Sequence, residues 1–312
     1  MSGINAIKIY GERNTGTNYV SELLRANFGL RELPGVEALT DKDWARFIRL
    51  KKLGFERAVT WAYERTSNRY HARHFNENLG WKHACVPVER VASLAPQGVG
   101  LIGLVKNPYA FLTSIYRRPY HHAGKAATLE AFVQEPFTLH ARDLLGRARM
   151  TPVQIWAAKT RSYFALANRL DSAKVVRYED LLADEAGVLS MLAETWGIAK
   201  PASWQTVEAS TKGRAKGQQK SRSWYAQYYL QQEWRSELSD AAIQAINSQL
   251  DPELMEMCGY DLLDVTGTNT GAAQTGASIV KSVFGGTPST THENGPMWAA
   301  DAPLSTSRLS AY

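Results

Sequence analysis

Residues 4–24 constrain this chain more than any other stretch: Ile4-Asn-Ala-Ile-Lys-Ile-Tyr-Gly-Glu-Arg-Asn-Thr-Gly-Thr-Asn-Tyr-Val-Ser-Glu-Leu-Leu24. Ile4, Ile7, Ile9 and Tyr10 form a short apolar run of β-formers, and Gly11 breaks it. Tyr19, Val20, Leu23 and Leu24 then recur at helical spacing. The order is strand, tight turn, helix. The turn, Gly11-Glu-Arg-Asn-Thr-Gly16, has the glycine spacing of a phosphate-binding loop. Glycines let backbone N–H groups curl round an anion, and a helix starting near Thr17 aims its positive end at it. The triphosphatase version of this loop ends in Gly-Lys-Ser/Thr, with lysine on the phosphates and a hydroxyl on magnesium. Here the positions read Gly16-Thr17-Asn18, so the lysine and the expected magnesium ligand are missing. Such a cradle suits a nucleotide handled without metal; a glycine turn needed only for packing is the alternative.

A chain of 312 residues can bury a full core. Its 44% apolar and 21% charged content is ordinary for a globular protein. The net charge of +6 favours anionic ligands, but basic residues are dispersed among acids rather than gathered on one stripe, so nucleic acid is not an expected partner. Cys85 and Cys258 have no pairing or zinc-site pattern. Cys85 reads as a small buried hydrophobe. The start of the chain lacks a basic-then-apolar signal segment, and no apolar stretch approaches a membrane span. A reducing cytoplasm is the expected compartment.

Further along, Trp44, Phe47, Ile48 and Leu50 fit a short amphipathic helix after Asp41. The stretch Trp61 to His74 is aromatic and basic and is expected to supply acceptor-site walls. His71 and His74 lie one turn apart, but with no third ligand nearby they read as solvated or capping residues rather than a metal site. Gly80 to Pro87 reads as a short strand that leaves Lys82 and His83 near its end, where α/β folds place chemistry. Histidine there suits a general base. Glu89 to Leu94 reads as a helix. Val99 to Val105 is a continuous apolar run, the sign of a central parallel strand buried on both faces. It ends in Lys106-Asn107-Pro108, and a helix from Tyr109 to Tyr116 follows with proline near its first turn. Lys106 and Ser114, two helical turns on, can face one anion.

Residues 119–127, with His121 and His122, read as a mobile loop. Thr151-Pro-Val-Gln154 is a capping box with proline at the first helical position, opening a helix to about Leu170. Ala173 to Tyr178 is another strand, followed by a helix from Glu185 to Trp196 closed by Gly197. Ser210 to Trp224 is a basic, glycine-containing loop, either solvated or a lid that orders on phosphate. Helices are expected near Tyr225 to Glu237 and, capped by Ser239, Asp240 to Leu250. Residues 1–264 read as one catalytic domain. Residues 265–312 turn to Gly, Thr, Ser, Ala and Asn and read as a low-complexity tail without a fold of its own.

Together these pieces resemble the sulfotransferases that use 3′-phosphoadenosine 5′-phosphosulfate, over roughly residues 4–262 with wide gaps in 29–79 and 119–170. Arg13-Asn-Thr-Gly-Thr-Asn18 looks like the family's 5′-phosphosulfate loop. Lys106-Asn107 and Ser114 match its 3′-phosphate site. Lys82-His83 is similar to a Lys-Thr-His segment that carries the base, one residue shorter. Tyr178-Glu-Asp-Leu181 looks like the adenine-side strand end, and Lys212-Gly213 with Arg214 and Lys216-Gly217 is similar to the basic C-terminal loop. Leu250-Asp-Pro-Glu-Leu-Met-Glu-Met-Cys-Gly-Tyr260 resembles the ending of bacterial members.

The resemblance implies a three-layer αβα, P-loop-like fold with a central parallel sheet. It also implies metal-free transfer of a sulfuryl group to a hydroxyl or amine. Arg13, Asn14, Thr15, Gly16, Thr17, Asn18, Lys106, Ser114, Tyr178, Lys212, Gly213 and Arg214 would then hold the co-substrate. His83 would be the base, with Arg13 and Lys82 the cations beside the leaving phosphate. Two departures stand out. The family usually has a basic residue at the position of Asn14, and Lys106 replaces an arginine, losing bidentate geometry while keeping charge. The acceptor is left open among small molecules, lipids, carbohydrates and peptide tyrosine. The alternatives are a P-loop kinase using ATP and a non-catalytic nucleotide-binding relative.

Overall fold

The computed structural model describes residues 3–95, 98–119, 126–208 and 220–265. His121 and His122, Lys212, Gly213 and Arg214, and the tail from 266 onward lie outside the described residues.

Strand β1 (Ala6–Gly11) is buried along its whole length and feeds helix α1 (Thr17–Phe28). The two-residue β2 (Arg31–Glu32) follows. Helices α2 (Asp41–Lys52), α3 (Glu56–Arg73), α4 (Phe75–Asn78) and α5 (Val88–Leu94) then lead to β3 (Val99–Val105). Helices α6 (Pro108–Arg117) and α7 (Leu129–Gln134) precede a ribbon of β4 (Phe137–Thr138) and β5 (Arg149–Met150). The long α8 (Pro152–Arg169) returns to β6 (Ala173–Arg177), and α9 (Tyr178–Ala183) starts where that strand stops. Then come α10 (Glu185–Trp196), α11 (Arg222–Leu230), α12 (Asp240–Asn247) and α13 (Pro252–Cys258).

The main sheet runs β2-β1-β3-β6, all parallel. In register, Gly11 pairs with Leu104 and Val105 with Arg177, so the three longer strands stop at one level. Alternation divides the side chains between two faces. Ala6, Tyr10, Leu101 and Val105 pack with Phe75, Val91, Tyr163 and Leu166, from α4, α5 and α8. Ile7, Ile9, Ile102 and Leu104 pack with Val20, Leu23, Leu189 and Trp196, from α1 and α10. Helices on both faces of a parallel sheet give the expected three-layer αβα arrangement. A third cluster joins α6, α7, α8, α11, α12 and α13, with Tyr109 stacked on Trp234.

Local signals set the helix starts. Thr151 and Gln154 form the capping box with Pro152 at the first position. Asn107 caps α6, accepting from the N–H of Tyr109 at 3.1 Å, with Pro108 at its start. Gly197 closes α10 in the left-handed conformation. Among the described residues no helix is long and apolar enough to cross a membrane.

Three expectations need correction. Residues 80–87 form no strand. Leu79 and Gly80 both take positive φ, which turns the chain, and only single bonds tie it to its neighbours. The Gly11 N–H donates to Lys82 O at 2.9 Å, and the Lys82 N–H to Gly35 O at 2.9 Å. The helix expected from Tyr225 to Glu237 stops at Leu230, because Gln232 is left-handed and a 3₁₀ turn (Glu233–Glu237) takes over. Helix α2 exists, capped by Thr40, but it buries Phe47 and leaves Trp44 and Ile48 exposed.

Gly103, at the middle of β3, admits the Cβ of Tyr163 where its own Cβ would stand. Gly103→Ala should therefore force α8 away from the sheet. The expected loss is about 1–3 kcal/mol or more, read from the midpoint of urea unfolding.

Candidate active site

A cleft opens where β1 and β3 end, the position at which open parallel sheets place ligands. Its lining includes Arg13, Asn14, Gly16, Thr17, Asn18, Lys82, His83, Lys106 and Tyr178. Gly16 and Lys106 thus line one cavity.

The loop after β1 is built from the inside. Glu12 is buried; its Oε1 accepts the Arg13 N–H at 2.6 Å and its Oε2 takes the ammonium of Lys159. Lys159 also donates to Asp143 Oδ1 at 3.0 Å. Burial alone would raise the Glu12 carboxyl, but Lys159 and Arg13 outweigh it and hold the group below the usual carboxylate range. A carboxylate in an anion loop is thereby neutralised before any ligand arrives. Thr15 turns inward, its hydroxyl and N–H both bonded to Glu12 O, and it does not line the cleft. Asn14 has φ +66° and Gly16 φ +99°. At Gly16 a Cβ would also come within 2.5 Å of the Tyr178 ring. Gly16 puts no capping side chain over α1, whose first turn carries no acid. The N–H groups of Gly16, Thr17 and Asn18 belong to the set that a helix start leaves outside its own hydrogen bonding.

Lys106 leaves the end of β3 into this loop. Its Nζ donates to Asn14 O and to Ser114 Oγ, both at 3.2 Å, and sits 3.8 Å from the centre of the Tyr229 ring. The Trp156 indole N–H donates to Lys106 O at 3.0 Å and fixes the strand end. Lys106 is 1% exposed and forms no ion pair among the described residues. Burial pulls its ammonium down to about 7, against the attraction of Glu179. Its direct contacts are a carbonyl, a hydroxyl and an aromatic ring, so an anion in the cleft would favour its charged form.

His83 is partly exposed to the cleft, and its ring stands edge-on to Trp81. Its Nδ1 lies 2.5 Å from Gly11 O. A carbonyl can only accept, so the proton is on Nδ1 and the Nε2 lone pair is available as a base. Burial, then the charges of Arg13 and Lys82, hold this imidazole well below its ordinary value. Lys82 donates to Asn18 Oδ1 at 2.8 Å. Arg13 stacks on Trp81, 4.6 Å from the ring centre, and lies 3.6 Å from Glu12.

Sequence reading missed several participants. Arg222, Tyr225 and Tyr229 line the cleft from α11, and the run Trp224-Tyr225 with Tyr228-Tyr229 was their signal. Lys159 was visible as a cation four residues from both Ile155 and Tyr163 on the apolar stripe of α8. Helix α3, expected to wall the acceptor site, contributes nothing to this cleft. His71 is buried against Glu37 and His74 pairs with Glu77; no group of three or more potential metal ligands occurs among the described residues.

No protein-family model and no curated protein matches the chain. Among solved structures it is similar to the sulfotransferase domain from the curacin biosynthetic pathway, at 14% identity and TM-score 0.40, covering 84% of this chain and 99% of that one. It is also similar to the sulfotransferase domain from the Synechococcus PCC 7002 olefin synthase, at 15% identity and TM-score 0.41, over 84% and 98%.

The depressed ammonium of Lys106 has a measurable sign. Between about 7 and 10.5 the unfolded chain holds a proton at this lysine that the folded chain does not, so stability rises with pH across that window. The native protein is therefore expected to gain stability relative to Lys106→Met from pH 7 to 10, as read by paired urea titrations.

Proposed function

We propose that the chain is a sulfotransferase that takes its sulfuryl group from 3′-phosphoadenosine 5′-phosphosulfate and passes it to a hydroxyl or amine. The observation that carries this reading is the cleft shared by the loop at Gly16 and the buried Lys106, which forms no ion pair among the described residues, with a base-form His83 on its wall. When bound, the co-substrate would supply an electrophilic sulfur and a phosphate leaving group. In this reading the N–H groups of Gly16, Thr17 and Asn18 would hold its 5′ side, and Lys106, bonded to Ser114, its 3′-phosphate. Tyr178 offers an aromatic wall.

His83 Nε2 accepts the acceptor's proton, while the Nδ1 bond to Gly11 O keeps the ring in that tautomer. Arg13 and Lys82 give the cleft fixed positive charge beside His83, the kind of preorganised field that favours growing negative charge. Burial, and then the same two cations, favour the unprotonated form of His83. Asn14 takes no charge-carrying role: its carbonyl anchors Lys106. The engagement of Arg13 by Glu12 and Trp81 also favours a second reading, a nucleotide-binding relative without turnover.

Titration with adenosine 3′,5′-bisphosphate in buffer containing EDTA tests the binding half. Saturable binding is expected, weakened at least about 10-fold in Lys106→Ala, since one charge-assisted contact is lost. Absence of binding, or a requirement for magnesium, would reject the sulfotransferase reading in favour of a kinase or neither.

The catalytic half is read from sulfate transfer across an acceptor screen. His83→Ala should lower turnover at least about 100-fold while leaving bisphosphate affinity within about twofold. The acid limb of kcat/KM should fall below pH 6.5, because the base is held below its ordinary value. Tight bisphosphate binding with no transfer to any acceptor would select the non-catalytic reading.

A further inference from the structure

Helices α2 and α3 meet in a turn that exposes what globular proteins usually bury. From Trp44 to Phe55 the chain reads Trp-Ala-Arg-Phe-Ile-Arg-Leu-Lys-Lys-Leu-Gly-Phe, with four cations and no carboxylate. Leu53 is 60% exposed, Phe55 56%, Ile48 53% and Trp44 50%. Four large apolar side chains within one short segment make a patch, unlike the scattered apolar surface that any protein shows.

The exposure is built into the hairpin. Phe47 packs α2 onto α3, its ring edge-on to Tyr63 at 5.9 Å. Trp44 and Ile48, one helical turn apart, stay outside that contact, with the Trp44 ring edge-on to Phe47 at 6.1 Å. Backbone bonds order the turn itself. The Leu53 N–H donates to Arg49 O at 3.2 Å, the Gly54 N–H to Lys51 O at 3.0 Å and the Phe55 N–H to Leu50 O at 3.0 Å. Gly54 has φ +77°, and nothing lies within 4 Å of the place its Cβ would take. Leu53 and Phe55 therefore flank the tip of a fixed, open turn. Arg49, Lys51, Lys52 and Arg57 are exposed on either side of it in the chain. The acids of α2, Asp41 and Asp43, lie at its other end, where Asp43 bonds with Thr40.

We infer that this turn docks the protein on an anionic lipid surface. Leu53 and Phe55 enter the acyl boundary, the cations meet lipid phosphates, and Trp44 and Ile48 lie at headgroup depth. The one-sign charge of the segment complements such a surface. A partner protein that grips a helix in a groove reads apolar anchors at i, i+3, i+4 and i+7. Counted from Trp44, the second of these is Phe47, buried against α3, and the fourth is Lys51. A fluid bilayer needs no matching pocket and takes an apolar tip ringed by cations as it stands. The inference is independent of what the cleft does.

The test is flotation of the full chain with vesicles at about 0.1 M salt, where exposed charges are partly screened. Equimolar phosphatidylcholine and phosphatidylglycerol vesicles are compared with phosphatidylcholine alone, and polyglutamate serves as a soluble polyanion. Binding to the mixed vesicles is expected, at least about 10-fold weaker for phosphatidylcholine alone and for Leu53→Ser/Phe55→Ser. Lys51→Glu/Lys52→Glu gives a second variant with the same expected loss should the first melt early. No binding to the mixed vesicles, or binding unchanged in folded variants, would overturn the assignment. So would polyglutamate bound as tightly as the vesicles, the sign of a surface made for an acidic protein.

Discussion

The buried cluster of Glu12, Lys159 and Asp143 is the interaction on which the site depends. It joins the loop after β1, the middle of α8 and the 3₁₀ turn Ala141–Asp143. Through the Arg13 N–H it sets the entry of the loop, and through Asp143 O it receives the N–H of Cys85, two residues from His83. Trp81 lies among its cations, with Arg13, Arg142 and Lys159 all within 5.7 Å of the ring. A buried ion cluster adds little net stability over an apolar equivalent, yet removing one member leaves a stranded charge. Here its role is geometric: three segments distant in sequence are held in one arrangement, and the cleft is their common surface.

Much of the fold was legible, and the reason is local. The apolar run 99–105 could only be a strand buried on both faces, and the order of β-formers, Gly11 and helical periodicity after Thr17 left one reading for 6–28. Thr151-Pro152-Gln154 and Gly197 act through neighbours a few residues away, so their meaning survives without the rest of the chain. Residues 80–87 mislead because Val86 and Trp81 are buried by tertiary packing while the backbone turns at Gly80. The apolar stripe of α2 misleads in the opposite sense: it has the pattern of a buried face, but only Phe47 is buried.

The site divides the same way. Lys106 and Ser114, eight residues apart, could be paired from the sequence because one strand end and one helix bring them together. That the Asn14 carbonyl would receive the Lys106 ammonium could not be read from spacing, because the residue sits in a left-handed turn. The ion cluster beneath it joins residues as far as 147 apart, a separation at which no spacing rule applies.

Gly16 faces two unrelated demands. Its backbone has φ +99°, and the ring of Tyr178 lies over the position a side chain would occupy. Trimming the tyrosine would clear the space but not the torsion, and an asparagine tolerant of the torsion would still meet the ring. The two positions are bound to drift together or not at all. A lineage that lost this glycine would have to rebuild both the loop and the exit of β6 in the same step.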